Sequence, residues 1–329
     1  MAAPGTPEWL ALVDEDVVDP DRPIVDPHHH LWPEGGSLPY GLDDLHADVG
    51  DGHNVVGTVF IECHAAYDPA EPEHRQSLGE TRFVTEQADA DPKGVIQGIV
   101  ANVDLRRDDL DELLDAHQEI AGDRFKGVRH ALSSPDDRSY LRIPGRAPKG
   151  LSTDPAFRRG VARLGERGLS YDTWHYHFQQ PEFLDLARAV PGTTMILDHF
   201  GTPLGVGPWA GRRDEIFAEW APTMTEIAGC GNVVAKLGGL AMPDNGFGWH
   251  DAERPPTSDE VVAAQARWYH HTIEAFGAER CMFESNFPVD KFSLGYRVFW
   301  NAAKKLAAGC SEAEQEALFN GTASRTYRL

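Results

Sequence analysis

Positive charge is what this chain has least of. Its 30 lysines and arginines face 52 aspartates and glutamates, a formal net charge of −22 over 329 residues. A field of that sign repels phosphate backbones and anionic lipid heads, which argues against nucleic acid and membrane as partners. An anionic small substrate stays open, because a pocket can be locally basic inside an acidic shell. Cysteine is scarce as well: Cys63, Cys230, Cys281 and Cys310 are scattered and form no CxxC pair. Structural zinc fingers and a disulfide framework are therefore not expected, and a reducing compartment fits. No stretch approaches the roughly 18 consecutive apolar residues of a membrane span. The opening "MAAPGTPEWLALVDEDVVDP" carries acids where a secretory signal would carry a basic segment and an apolar core. The expectation is a cytoplasmic protein that acts on a small molecule.

What is present is an alternation. Eight apolar runs occur at 23–31, 55–64, 94–105, 125–132, 169–177, 193–201, 232–240 and 280–288. Their nearly continuous Val, Ile and Leu content suggests strands buried on both faces. Helical spacing appears between them, as in 73–91, 213–231 (Ile216, Phe217, Trp220, Met224 and Ile227 on one stripe), 257–277 and 311–329. The last opens on a capping-box pattern, Ser311 with Glu314. Eight strand–helix repeats in about 300 residues predict an α/β TIM (β/α)8 barrel as one domain over 23–329, preceded by an extension over 1–22. The rival, a doubly wound sheet, would show GxGxxG after an early strand, and none is there. Two long Gly-, Pro- and Asp-rich insertions, 134–154 and 241–259, follow strands 4 and 7 and read as lids.

The polar residues then gather. Eight of the fifteen histidines fall at or past strand C-termini: His28, His29, His30, His64, His130, His175, His177 and His199. Glu62, Arg129, Lys236, Glu284, Asn286 and Asp290 join them at the same end. Ionisable groups buried unpaired cost several kcal/mol, so stability gives no reason for this clustering, whereas a barrel enzyme carries its chemistry at that face. In "DPHHHL", alternation aims His28 and His30 into the mouth and His29 toward the helices. His175 and His177 share a face of strand 5, with His177 nearer the rim; they either serve the site or fill the wall. Glu62 and His64 form either an acid–base couple or a neutral ion pair. Arg129 and Lys236 either hold a substrate carboxylate or pair with Glu62 and Glu284. Trp249, after strand 7, either covers a substrate ring or packs the lid.

"DPHHHLW", "ILDHFG", "VVAKLGGLAM" and above all "RCMFESNFPVDK" resemble the amidohydrolase superfamily. The closer similarity is to the amidohydrolase-related branch with sugar lactonases and 2-pyrone-4,6-dicarboxylate lactonase, from about residue 22 to the C-terminus. The resemblance implies a distorted TIM barrel that hydrolyses esters, lactones or amides, with some relatives metal-dependent and others not. The HxH motif falls on His28 and His30 and the strand-6 histidine on His199, as catalytic groups and as the ligands of one divalent cation, zinc by its imidazole donors, if a metal is used. The strand-8 position that usually holds aspartate falls on Asn286. An amide accepts no proton at neutral pH, so Asn286 cannot be a general base. Glu284, two residues earlier on the same face, is the expected in-barrel partner, and Asp290 a rim residue. Lys126 lies too early in strand 4 to bridge two metals.

The expected reaction is hydrolysis of a small cyclic ester or related acyl bond by activated water at the barrel mouth. Glu62, His64, Arg129, His177, Lys236 and Trp249 are the candidate substrate contacts. A metal-dependent decarboxylase on the same barrel and an inactive metabolite-binding barrel are the alternatives. The aromatic-bearing helix "WYHHTIEAF" raises the further expectation of a homo-oligomer.

Overall fold

Each of the eight apolar runs yields one strand of a single parallel sheet in sequential order. The computed structural model describes residues 2–36 and 38–329. The strands are β1 (Pro23–His29), β2 (Asn54–Ile61), β3 (Ile96–Ala101), β4 (Phe125–Arg129), β5 (Ser170–Thr173), β6 (Met195–Leu197), β7 (Val233–Leu237) and β8 (Cys281–Phe283). Every one ends before its apolar run does, because the polar residues at the C-terminal ends leave the ladder to form the mouth. Just past β8, the sheet closes on β1: the Asn286 N–H donates to the His28 carbonyl at 3.0 Å and the His30 N–H to the Phe287 carbonyl at 2.8 Å. This is a TIM barrel.

Alternation sorts the strand residues into two cores. Val25, Val59, Ile61, Val100, Ile196 and Met282 form a cluster inside the barrel, with Tyr327 and Ala323 of the C-terminal helix (Thr322–Tyr327) inserted among them. Their sequence neighbours, such as Ile24, Phe60, Ile99, Met195 and Phe283, pack outward in the larger cluster shared with the helices. The barrel is therefore plugged at its base by aliphatic side chains, and what lies above the plug is polar.

The helical stretches read from spacing appear as Ser77–Ala90, Arg213–Ala228 and Ser258–Phe276. Ser311 and Glu314 form the capping box that opens Glu312–Glu316. Residues 2–22 lie along the outside of the barrel: Trp9 is fully buried and its indole N–H donates to the Ala252 carbonyl at 3.2 Å. The two insertions are tied together. The Asp244 carboxylate accepts the Arg142 and Ile143 N–H groups at 2.8 and 2.9 Å, and the Tyr176 hydroxyl accepts the Gly145 N–H at 2.8 Å.

Asp26 locks the β8–β1 seam. Its fully buried carboxylate accepts the Ser285 N–H at 3.0 Å and the Tyr296 hydroxyl at 2.9 Å, while burial pushes its pKa up to about 6. Removing one donor from a buried carboxylate costs about 1–3 kcal/mol. Tyr296→Phe is expected to lower unfolding stability by that amount in urea titrations while leaving circular dichroism unchanged.

Candidate active site

Above the aliphatic plug sits a layer of charge. Inward positions of β4 to β8 and the residues just after them supply Arg129, Asp172, Asp198, Lys236 and Glu284, and β1 supplies His28. All six are buried. Lys236 Nζ stands 3.0 Å from Asp172, 3.2 Å from Asp198 and 3.3 Å from His28 Nδ1. Arg129 Nε pairs with Glu62 at 2.7 Å, and its Nη1 stands 3.5 Å from Asp198 and 3.4 Å from His28 Nε2. Glu284 lies between two rings, with Oε2 2.7 Å from His28 Nδ1 and Oε1 2.7 Å from His199 Nδ1. The Tyr327 hydroxyl reaches up from the plug to Asp172 at 2.5 Å.

The expected convergence is present: the His28 ring centroid lies 4.9 Å from that of His30 and 4.5 Å from that of His199. His29 points outward to Thr58, 3.0 Å away. His30 Nδ1 is 2.8 Å from the Ile61 carbonyl. A carbonyl only accepts, so Nδ1 carries the proton and Nε2 presents a lone pair to the site. His199 reaches the mouth by a different route from simple alternation. Asp198 is the inward residue that continues β6, and His199 and Phe200 then adopt left-handed backbone, φ 54° and 58°, which turns the His199 ring back into the barrel. Two glycines leave space for it: a Cβ at Gly239, itself at φ +69°, would sit 2.1 Å from His199 Nδ1, and one at Gly238 would sit 2.0 Å from the Glu284 carbonyl. This accounts for the paired glycines after β7.

Burial sets the protonation pattern. It drives His28 and His30 well below the ordinary histidine value and His199 down to about 3, so all three rings are neutral nitrogen donors. Burial likewise lifts Glu284 to about 8 and Asp198 to about 6. For Lys236 burial opposes the charge, but Asp198, Asp172 and Glu284 outweigh it and hold its pKa above normal. For Glu62 burial is again overcome, here by Arg129 and His64, and the carboxyl stays below its usual range.

The donor set fits a divalent cation. His28, Asp198 and His199 offer ligand atoms within 4.8 Å of one another. Asp198 Oδ1 and Glu284 Oε2 are buried carboxylate oxygens whose contacts, Lys236 Nζ at 3.2 Å and His28 Nδ1 at 2.7 Å, lack hydrogen-bond geometry. His28 Nε2 and His30 Nε2 are 3.3 Å apart, close to the roughly 3.4 Å that separates two tetrahedral positions on one zinc at about 2.0–2.1 Å.

Several expected placements change. Lys236 is not a rim residue: it is fully buried and its charge is spent on Asp172 and Asp198. Asp290 is not at the rim either. Buried, it accepts the Asn286 side-chain amide at 2.9 Å and the Ala241 N–H at 3.1 Å, joining the loops after β8 and β7. Asn286 shares no strand face with Glu284, because β8 ends at Phe283 and Asn286 has φ 55°. β5 likewise ends before His175 and His177. His175 stacks on Phe183, and His177 packs edge-on to Trp209 with Nδ1 accepting the Leu204 N–H. Trp249 stacks on Phe247, outside the lining of the mouth. Asp172, Asp198 and Tyr327 were not anticipated; the signal for the first two was a lone acid inside an apolar strand run.

The mouth above this floor is a cavity of about 690 Å³ lined by His30, Glu62, His64, Arg129 and His130, with Arg106, Arg142 and Arg146 around it. His64 is its half-exposed imidazole, with Nε2 3.6 Å from Glu62 and Nδ1 2.9 Å from the Tyr67 hydroxyl.

Comparison with known proteins agrees with this architecture. The amidohydrolase family profile matches residues 25–329. The uncharacterized protein y4mH of Sinorhizobium fredii is 34% identical, covering 94% of this chain and 99% of its own. L-fucono-1,5-lactonase of Burkholderia multivorans is 28% identical over 93% of this chain and 96% of its own. A crystal structure of a Burkholderia multivorans amidohydrolase with bound zinc superposes with a TM-score of 0.72 at 25% identity, covering 93% of this chain and 99% of that one.

Two outcomes test the floor. Lys236→Met strands Asp172 and Asp198 without their cation, and the expected loss is about 3–5 kcal/mol of unfolding free energy in denaturant titrations. Glu284→Gln weakens the orientation of both imidazoles, and zinc affinity measured by chelator competition is expected to fall about 10–100-fold.

Proposed function

Because this chain belongs to the amidohydrolase family, we propose that it is a hydrolase that opens a small cyclic ester bearing a negative charge. The observation that carries this reading is the meeting of His28, His30, His199, Asp198 and Glu284 beneath a basic-rimmed cavity of about 690 Å³. The lactonase and zinc-bound relatives support the reaction class.

His28, Asp198 and His199 are the residues that would hold a cation, zinc by the donor set, which would polarise the carbonyl and lower the pKa of water toward about 7. The remaining work falls to the chain's own groups. Glu284 sets the orientation of His28 and His199, and the Ile61 carbonyl sets that of His30. Asp198, whose Oδ1 makes no hydrogen bond and contacts Lys236 Nζ only at 3.2 Å, takes a proton from the attacking water. As the ring C–O bond breaks, Asp198 gives that proton to the leaving oxygen, which leaves a hydroxy acid. Arg129 stays with Glu62 and keeps that carboxylate ionised beside His64.

Arg142 and Arg146, rather than Arg129 and Lys236, read the charge on the substrate. Arg106 is paired with Asp104 at 2.8 Å. Among the described residues Arg142 and Arg146 have no carboxylate partner for their guanidinium groups, and Arg142 lies over the Phe292 ring at 4.5 Å. In a chain of net charge −22, two free cations at the mouth mark a local reversal of field.

The test is a panel of neutral and carboxylate-bearing lactones and esters with the zinc-loaded protein, scored for acid release and for CO₂. Carboxylate-bearing lactones are expected to react fastest without CO₂. His30→Ala should abolish turnover in a folded protein. Arg142→Ala and Arg146→Ala should each raise KM about tenfold for the charged lactones alone. CO₂ release, or no hydrolysis of any lactone or ester, would overturn the reading.

A further inference from the structure

The mouth continues into an outer compartment of about the same volume, 690 Å³, between the loops after β2 and β3. His64, Asn102, Asp104 and Arg146 line both, so the two form one continuous cleft. Every residue that lines the outer compartment has a polar side chain, and the formal charges cancel, Glu73 and Asp104 against Arg107 and Arg146. Three polar atoms of this wall are without partners in the chain. Asn102 Nδ2 donates to the Arg129 carbonyl at 3.1 Å and Gln76 Nε2 to the Glu71 carbonyl at 3.3 Å. A carbonyl only accepts, so both amide orientations are fixed and Asn102 Oδ1 and Gln76 Oε1 are left as free acceptors. The third atom is the Ser77 hydroxyl. Ser77 is only 7% exposed, yet its Oγ makes no hydrogen bond and is not sealed from solvent; the surface it keeps faces the cleft. Ser77 also opens the helix Ser77–Ala90, whose start no side chain caps. Glu73 adds a carboxylate with no cationic partner among the described residues, whereas Asp104 is paired with Arg106 at 2.8 Å and Arg107 with Asp109 at 2.5 Å.

Taking the mouth as the place where the ester ring opens, as proposed above, we infer that the outer compartment binds a neutral polyhydroxylated arm of the substrate, such as a glycosyl group. The mouth alone has the room of a drug-sized ligand site, roughly 300–1,000 Å³, so a single small ring leaves the outer volume unfilled. An apolar arm would find no apolar wall there and would strand the Ser77 hydroxyl, at about 1–3 kcal/mol for a buried polar group left unmade. A charged arm would gain nothing from a wall whose charges cancel. A polyol supplies an O–H to Asn102 Oδ1, Gln76 Oε1 and the Glu73 carboxylate, and an oxygen to the Ser77 hydroxyl and the Arg146 guanidinium. Arg146 and His64, shared by both compartments, stand where ring and arm join.

The experiment is calorimetric titration of the full chain with gluconate and with lactobionate, which is gluconate carrying a neutral galactosyl arm. Lactobionate is expected to bind about tenfold more tightly, a gain of about 1.4 kcal/mol. In the double variant Glu73→Ala/Ser77→Ala, which removes one exposed carboxylate and one hydroxyl at a helix start, the ratio of the two affinities is expected to fall to about one. Equal affinities in the unaltered chain, no measurable binding of lactobionate, or a tenfold ratio that survives the double variant would each overturn the assignment. The outer site and the reaction fail separately: a ratio of one with lactone hydrolysis intact removes the arm alone, and a tenfold ratio with no lactone hydrolysed supports the arm and removes the reaction.

Discussion

A sealed layer of charge inside the barrel is the constraint on which the rest depends. Lys236 and Arg129 lie with Asp172, Asp198, Glu62 and Glu284 in a space closed below by Val59, Val100, Ile196 and Met282. Burying ions in such a place is expensive, and well-packed apolar residues of similar volume would often be as stable or more so. The layer makes physical sense as a support. Burial there keeps three imidazoles neutral, and Glu284, between His28 and His199, fixes the direction of two of them.

Charge is also arranged across the molecule as a whole. The chain as a whole is strongly acidic, yet Arg142 and Arg146 at the mouth have guanidinium groups without a carboxylate partner among the described residues. Such a local reversal of field is what the charged substrate we propose would meet at the mouth. Asp244, in the loop after β7, ties down the loop carrying Arg142.

Backbone irregularity does much of the positioning. His64, His199 and Asn286 all have positive φ, and each lies a few residues beyond its strand. Left-handed residues are uncommon outside glycine and gather at functional sites, where the surrounding structure must hold them. Here the surrounding structure is visible: Gly238 and Gly239 make room for His199 and Glu284, and Asp290 holds Asn286.

By itself the sequence determined the number and order of the strands, the barrel they form and the end at which polar chemistry collects, because period-2 burial and strand–helix alternation are local properties of the chain. It also determined His28 and His30 as inward residues, since they lie where β1 still alternates. Only the tertiary structure decided the partners. Asp198 was passed over in favour of its neighbour His199, although both reach the site, because one left-handed turn cancels the alternation that would have separated them. Lys236 and Asp290 were placed at a rim they do not occupy, since depth along a barrel depends on strand stagger and on loops that fold back, neither of which is written in residue spacing. Asp172 meets Tyr327 across 155 positions of chain, and a contact of that range is set by closure of the barrel and by no local pattern.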